Sequence, residues 1–105
     1  MLNNLKNLFK LDGKVFVVTG AAGLLGKKHA EAIAAYGGTP ILLDLVLDNV
    51  KSFADELNER FNVNAIAIAV DITNEKQIID SVQYIIAKYG KLDGLVNNAA
   101  NNPKI

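Results

Sequence analysis

Cysteine is missing from all 105 positions, which removes disulfides, thiolate zinc sites and a cysteine nucleophile. Histidine occurs once, at His29, so an imidazole-built metal site lacks its ligands. Neither sign of charge is in excess, because eleven Lys and Arg balance eleven Asp and Glu. That balance offers no basic surface for nucleic acid and no acidic tail. No apolar run approaches the ~20 residues needed to cross a bilayer. The opening MLNNLKNLFKLDGK sets Leu2, Leu5, Leu8 and Phe9 at roughly helical spacing, without the continuous apolar core of a signal peptide. These absences point to a soluble, cytoplasmic protein with no nucleic-acid or membrane partner and no metal ligands.

What remains is an ordinary globular composition, half apolar and about a fifth charged, in a chain long enough for one core. Residues 1–105 read as a single, partial domain with residues 1–11 as an N-terminal extension. Periodicity alternates along it. KVFVVT (14–19) is a short buried strand, and the alanine-rich stretch from about 23 to 36 is a helix closed by Gly37 and Gly38. PILLD (40–44) is a second strand. Asp48 is placed to cap a helix that carries Val50, Phe53, Ala54, Leu57 and Phe61 on one face. NAIAIAVD (64–71) is a third strand. Thr73 or Asn74 caps a helix with Ile78, Ile79, Val82, Ile85, Ile86 and Tyr89 as its buried stripe, ending at Gly90. LDGLVN (92–97) is a fourth strand. Apolar strands alternating with helices require a parallel sheet with right-handed crossovers. The expected fold is an α/β, Rossmann-type three-layer domain with strand order 3-2-1-4, truncated after the fourth strand.

The stretch TGAAGLLG (19–26) sits between the first strand and the first helix. A strand that turns sharply into a helix leaves backbone N–H groups aimed outward, which together with the helix dipole form an anion site. Glycine serves three needs there: the turn at Gly20, close approach of a pyrophosphate at Gly23, and helix–sheet packing at Gly26. A tight loop with no ligand would also use glycines, but the strand–turn–helix setting favours the cofactor reading. No Gly-Lys-Ser/Thr follows, so this is not a P-loop. Asp44 lies 18 residues beyond Gly26 at the end of the second strand, near the spacing of a ribose-binding acid. A carboxylate there repels a 2′-phosphate, and Ala21, Ala22 and Leu45 bring no compensating positive charge. NAD is therefore expected over NADP.

Taken together, LDGKVFVVTGAAGLLGK, Asp44, VDIT (70–73) and LDGLVNNAA (92–100) resemble the N-terminal half of a short-chain dehydrogenase/reductase, from about Leu11 to Ala100. The resemblance implies an NAD-dependent oxidoreductase. Thr19, Gly20, Gly23 and Gly26, with Leu24 and Leu25 between the last two, match its glycine-rich cofactor loop. Asp44 matches the ribose acid, Asp71 and Ile72 the pair that contacts adenine, and Asn97, Asn98 and Ala99 the Asn-Asn-Ala segment beside the cofactor. Two positions depart from the pattern. The glycine spacing is that of the family's longer members, whereas NNAA belongs with the shorter ones and carries Ala100 in place of the usual glycine.

The family's hydride transfer depends on a Tyr-x-x-x-Lys pair, a Ser and a further Asn, all beyond the Asn-Asn-Ala strand. YIIAK (84–88) fits the Tyr-x-x-x-Lys spacing, but it lies on the helix before the fourth strand, where Tyr84 and Lys88 point away from the apolar stripe. They read as a surface pair, and His29 as a helix-surface residue. The chain is thus expected to bind NAD and to catalyse nothing alone, with no catalytic residue of its own. The alternatives are a nucleotide-binding or self-associating module without chemistry and a Rossmann-type domain for another adenosine ligand; Asp71 and NNAA argue against the latter. An exposed fourth-strand edge and a sheet face covered by one helix lead to the expectation of a homo-oligomer.

Overall fold

The computed structural model describes residues 10–98; the leucine-spaced start and Ala99 and Ala100 lie outside them. The elements follow in the expected order: β1 (Val15–Thr19), α1 (Leu24–Ala35), β2 (Thr39–Asp44), α2 (Asp48–Phe61), β3 (Ile66–Ala69), α3 (Glu75–Tyr89) and β4 (Gly94–Asn97). All neighbours pair in parallel, in the order β3-β2-β1-β4. Val17 sits at the centre of the sheet, opposite Ile41 on one side and Leu95 on the other.

Alternation along β1 and β2 sorts the core into two halves. Val18 and Leu42 face α1 and α2 and pack with Ala30, Ile33, Val50 and Leu57. Val15, Val17, Ile41 and Leu43 face the other way and meet Val70 and Ile85. Two helices therefore cover one face and α3 covers the other, as the pattern requires. Leu42, Ile41, Leu57 and Ile85 are fully buried. Truncating any one of them to alanine should cost about 2–5 kcal/mol, the loss in transfer energy plus the cavity left behind.

Three strands are shorter than the apolar runs suggested, while β2 starts one residue earlier at Thr39; the difference is clearest in β3, which keeps only Ile66–Ala69 of the expected 64–71. The rung before Ile66 would need an N–H from residue 40 to reach Asn64 O, and Pro40 has none to give. Beside that start, the Asn58 side-chain oxygen accepts from Ala65 N–H at 2.6 Å and its amide donates to Ala65 O at 2.8 Å. Tyr89 OH donates to Asn64 O at 2.6 Å and fixes the same segment from the opposite face. Burial, then the nearby Tyr84, pushes the Tyr89 phenol up to about 12 and keeps it a donor.

Two capping expectations resolve differently. Asn74 caps α3, its oxygen accepting from Gln77 N–H, and Gly90 closes the helix at φ 81°. Asp48 is not the cap of α2. It is the first helical residue, preceded by Leu47 without a side-chain cap bond, and there its charge meets the positive end of the helix dipole. The expected stripe of α3 is also only partly buried. Ile85 is fully covered and Tyr89 half-buried, while Ile78, Ile79, Val82 and Ile86 remain exposed and Ser81, outside the predicted stripe, is buried. With a single helix on this face, only the line nearest the strands finds partners. Among the described residues no helix is long and apolar enough to cross a membrane, and no three His, Asp or Glu gather as a metal cluster.

Candidate functional site

At the C-terminal ends of the strands, the chain leaves β1 through Gly20, whose φ of 62° is the left-handed conformation that glycine adopts without strain. The turn closes with Gly23 N–H donating to Gly20 O at 3.1 Å, and Gly23 stands at the N-cap of α1. Gly26, one turn into α1, is buried. A Cβ there would overlap Gly20 O and meet Ala21 Cα and the Asn98 amide nitrogen at 3.0 Å each. The three glycines therefore differ in purpose. Gly20 makes the bend and Gly26 lets the helix touch the loop, whereas a Cβ at Gly23 would make only ordinary contact at 3.4 Å with Gly20 O. Open space at Gly23 leaves room for a ligand to approach the backbone.

The donors available at this turn follow from the hydrogen bonds already made. Ala21 N–H bonds Leu43 O at 3.2 Å, Ala22 N–H bonds an Asp44 carboxylate oxygen at 2.9 Å, and Gly23 N–H is used in the turn. Lys27 N–H is the first to bond back within the helix, to Gly23 O at 2.9 Å. The N–H groups of Leu24, Leu25 and Gly26 are those a helix leaves without a partner in its first turn. No acidic side chain stands in that first turn, unlike α2 and α3, which carry Asp48 and Glu75 there. An anion at this end thus meets free donors and the helix dipole with no competing carboxylate on the same turn. The side chains of Leu24 and Leu25 are exposed, Leu24 by 79%, so it is their backbone that suits a phosphate.

Thr19 is buried, its hydroxyl directed toward β4 and not toward solvent. It accepts from Asn98 N–H at 3.0 Å and lies 3.1 Å from Asn97 Oδ1, to which it donates. The hydroxyl holds the two ends of β1 and β4 together beneath the glycine turn. Asn98 in turn brings its side-chain amide against Gly26. Thr19, Gly20, Gly26, Asn97 and Asn98 thus form one contiguous support.

Asp44 ends β2, beside the loop. Its second oxygen accepts from Val46 N–H at 3.4 Å. Asp71 follows β3, separated from it by Val70. Thr73 donates to a single Asp71 oxygen through both its hydroxyl, at 2.6 Å, and its N–H, at 2.9 Å. The Thr73 hydroxyl first, then its amide, hold the Asp71 carboxyl below its ordinary value. Asp71 N–H donates to Gln77 Oε1 at 2.9 Å. Gln77 was not singled out in the sequence, and Thr73 was read only as a possible helix cap and as part of VDIT, although Asp-x-Thr is the spacing of a side-chain-closed turn. Ile72 lines an apolar groove of about 300 Å³ on the α3 face with Ile78, Val82 and Leu95. Ala99 lies outside the described residues.

Tyr84 and Lys88 stand apart from this site. Tyr84 is exposed and lines a cleft along the β3 edge with Ala65, Ala67 and Ala69, while the Lys88 ammonium lies 5.8 Å from the Tyr89 ring centroid. His29 is half-buried on α1, in a recess with Leu11, Ile33 and Val96.

Residues 14–104 match the family model described as short chain dehydrogenase. The chain is 36% identical over 90 residues to the 7alpha-hydroxysteroid dehydrogenase of Escherichia coli strain K12, covering 86% of this chain and 35% of that one. It superposes on NAD+-bound xylitol dehydrogenase with a TM-score of 0.77 and 32% identity, covering 82% of this chain and 33% of that one. It superposes on the NADPH-dependent 3-quinuclidinone reductase of Rhodotorula rubra with a TM-score of 0.82 and 30% identity, covering 89% and 35%. The chain spans about a third of the length of the curated relatives it matches.

Proposed function

Because the chain belongs to the short-chain dehydrogenase family, we propose that it forms the adenosine and pyrophosphate side of an oxidoreductase whose cofactor is NAD. The observation that carries this reading is the glycine turn itself: a left-handed Gly20, a Gly26 that admits no side chain, and an uncapped, acid-free helix start between them. The described residues fit a dinucleotide. Leu24, Leu25 and Gly26 would offer backbone N–H groups to the pyrophosphate, Asp44 would accept from the adenosine ribose, and Asp71 with Ile72 would border the adenine. The bound nicotinamide would supply the hydride chemistry.

NAD over NADP rests on Asp44. A carboxylate at the β2 end accepts hydrogen bonds from ribose hydroxyls and repels a 2′-phosphate, and the neighbouring Ala21, Ala22 and Leu45 carry no positive charge. Calorimetric titration tests it. NAD and ADP-ribose should bind with similar affinity, and NADP at least about tenfold more weakly, a difference of about 1.4 kcal/mol. Equal or tighter binding of NADP would overturn the preference, and no binding of any of the three would overturn the reading.

The 105-residue chain alone is proposed to bind without transferring hydride. Its one Tyr-x-x-x-Lys spacing, Tyr84 to Lys88, lies along the outer surface of α3 and the β3 edge, away from the glycine turn. Turnover of any alcohol or ketone with NAD would refute this.

A second reading, self-association, is favoured by one specific observation. On β4, Leu95 is 61% exposed, beside the apolar groove and a sheet edge whose outer backbone groups have no strand partner among the described residues. A homo-oligomer formed through that edge would cover all three. The same overall reading carries a cytoplasmic location, which fractionation of cells would check.

A further inference from the structure

Contact between the β1 and β2 chains does not end with the strands. Val15 to Thr19 pair with Thr39 to Leu43, and past the bend at Gly20 the Ala21 N–H bonds Leu43 O, one residue out of the ladder's own register. The next amide, Ala22 N–H, has moved into the glycine turn, where the side chain of Asp44 reaches it at 2.9 Å. The other carboxylate oxygen points into the following turn and accepts from Val46 N–H. One carboxylate therefore ties the turn after β1 to the turn after β2.

We infer that Asp44 is a positioning residue for the anion-binding turn, through Ala22, in addition to any contact it makes with ribose. The inference rests on the cofactor reading above but names a different task for the same side chain. Gly20 and Gly23 give the turn freedom, and freedom must be restrained if Leu24, Leu25 and Gly26 are to present their N–H groups in one direction. Gly23 N–H to Gly20 O closes the turn on itself, Gly26 seats the helix on Gly20, and the Ala21 amide holds the start of the turn to Leu43, but none of these reaches Ala22. The Asp44–Ala22 bond is the side-chain link that does. It is charge-assisted, and so stronger than a neutral bond of the same length.

A consequence for specificity follows. Replacing Asp44 by a residue with no acceptor oxygen to admit a 2′-phosphate also loosens the phosphate-binding turn, so such a substitution alone weakens NAD without creating NADP binding. The two properties are coupled through one side chain.

Amide exchange by NMR on the free protein, paired with titrations of ADP and 2′,3′-dideoxy-ADP, tests the inference. In Asp44→Ala the Ala22 amide should exchange roughly tenfold to a hundredfold faster, and 2′,3′-dideoxy-ADP, which has no ribose hydroxyl to lose, should weaken together with ADP. Asp44→Asn keeps an acceptor oxygen and should restore both Ala22 protection and 2′,3′-dideoxy-ADP binding while ADP stays weakened. Unchanged Ala22 exchange in Asp44→Ala, or a loss confined to ADP, would overturn the inference and leave Asp44 a ribose ligand alone. Failure of Asp44→Asn to restore protection would also overturn it. If the unsubstituted protein bound neither nucleotide, the cofactor reading would fall, whereas the exchange experiment would still decide the bracing role.

Discussion

Gly26 lies so close to the carbonyl oxygen of Gly20 that not even a methyl group fits between the first helix and the turn that precedes it. Gly26→Ala should therefore destabilise the fold by about 1–3 kcal/mol, the usual cost of forcing a carbon into a packed site. The melting temperature should fall by roughly 4–8 °C per kcal/mol in a domain of this size. Gly23→Ala provides the contrast. Its φ is −71° and its added carbon meets nothing closer than 3.4 Å, so the melting temperature should hold within about 2 °C while affinity for ADP-ribose falls. A stable Gly26→Ala protein would refute the packing argument.

Thr19 should tolerate serine and not valine. Valine matches its shape but leaves Asn98 N–H and the Asn97 side chain without their hydroxyl partner, a loss of about 1–3 kcal/mol. Serine keeps the bond. Chemical denaturation of both variants checks this, and equal losses would show that shape and not hydrogen bonding matters at this position.

Asp93 anchors the start of β4. Its carboxylate accepts from Val15 N–H at 2.7 Å, and its own N–H donates to Val15 O at 2.8 Å. The Val15 amide first, with Lys91 helping, holds this carboxyl below its ordinary value of 3.8. A folded value below the unfolded one means that the stabilisation is present above about pH 4 and is lost as pH falls through the folded value. Stability measured between pH 6 and about pH 2.5 should drop less steeply in Asp93→Asn than in the unsubstituted protein. Parallel curves would contradict the assignment.

Leu95 offers the cleanest handle on self-association. Its side chain is largely exposed, so Leu95→Lys should change stability by less than about 0.5 kcal/mol, and it should shift sedimentation at tens of micromolar toward the monomer. A monomeric unsubstituted protein under those conditions would dispose of the self-association reading.

The strand order, the three helices and the glycine turn were all readable in the sequence because each rests on a local pattern: β-branched runs, helical spacing, and glycine between a strand and a helix. Ile85 was correctly buried, but Ile78, Ile79, Val82 and Ile86 were not. Periodicity shows which face of a helix is apolar and cannot show how much of a neighbour is there to cover it. Asp48 looked like a cap because Asp favours that position; its neighbours Val46 and Leu47 already start the turn through backbone bonds from Asn49 and Val50. The Asn58 bracket on Ala65 and the Asp44 link to Ala22 were invisible for a different reason. Both are bonds between a side chain and a backbone group brought near only by the completed fold, and residue type alone marks neither. Asp44 was found by its spacing, which located the residue but gave it only one of its tasks.

Placing β1 between β2 and β4 also sets the timetable of folding. Phe16 and Gly94 are paired, so the strand made first receives one of its two neighbours only after nearly all the described chain has been synthesised. Until then a finished β3-β2-β1 half-sheet presents Phe16, Val17 and Val18 along an open edge. Pairing at such sequence separation is slow, because the loop must close before any contact rewards it. During synthesis, the nascent chain should therefore spend its most aggregation-prone interval between the emergence of β3 and the arrival of β4. Ribosome-stalled chains ending after α3 should bind chaperones more strongly than those carrying β4 clear of the exit tunnel.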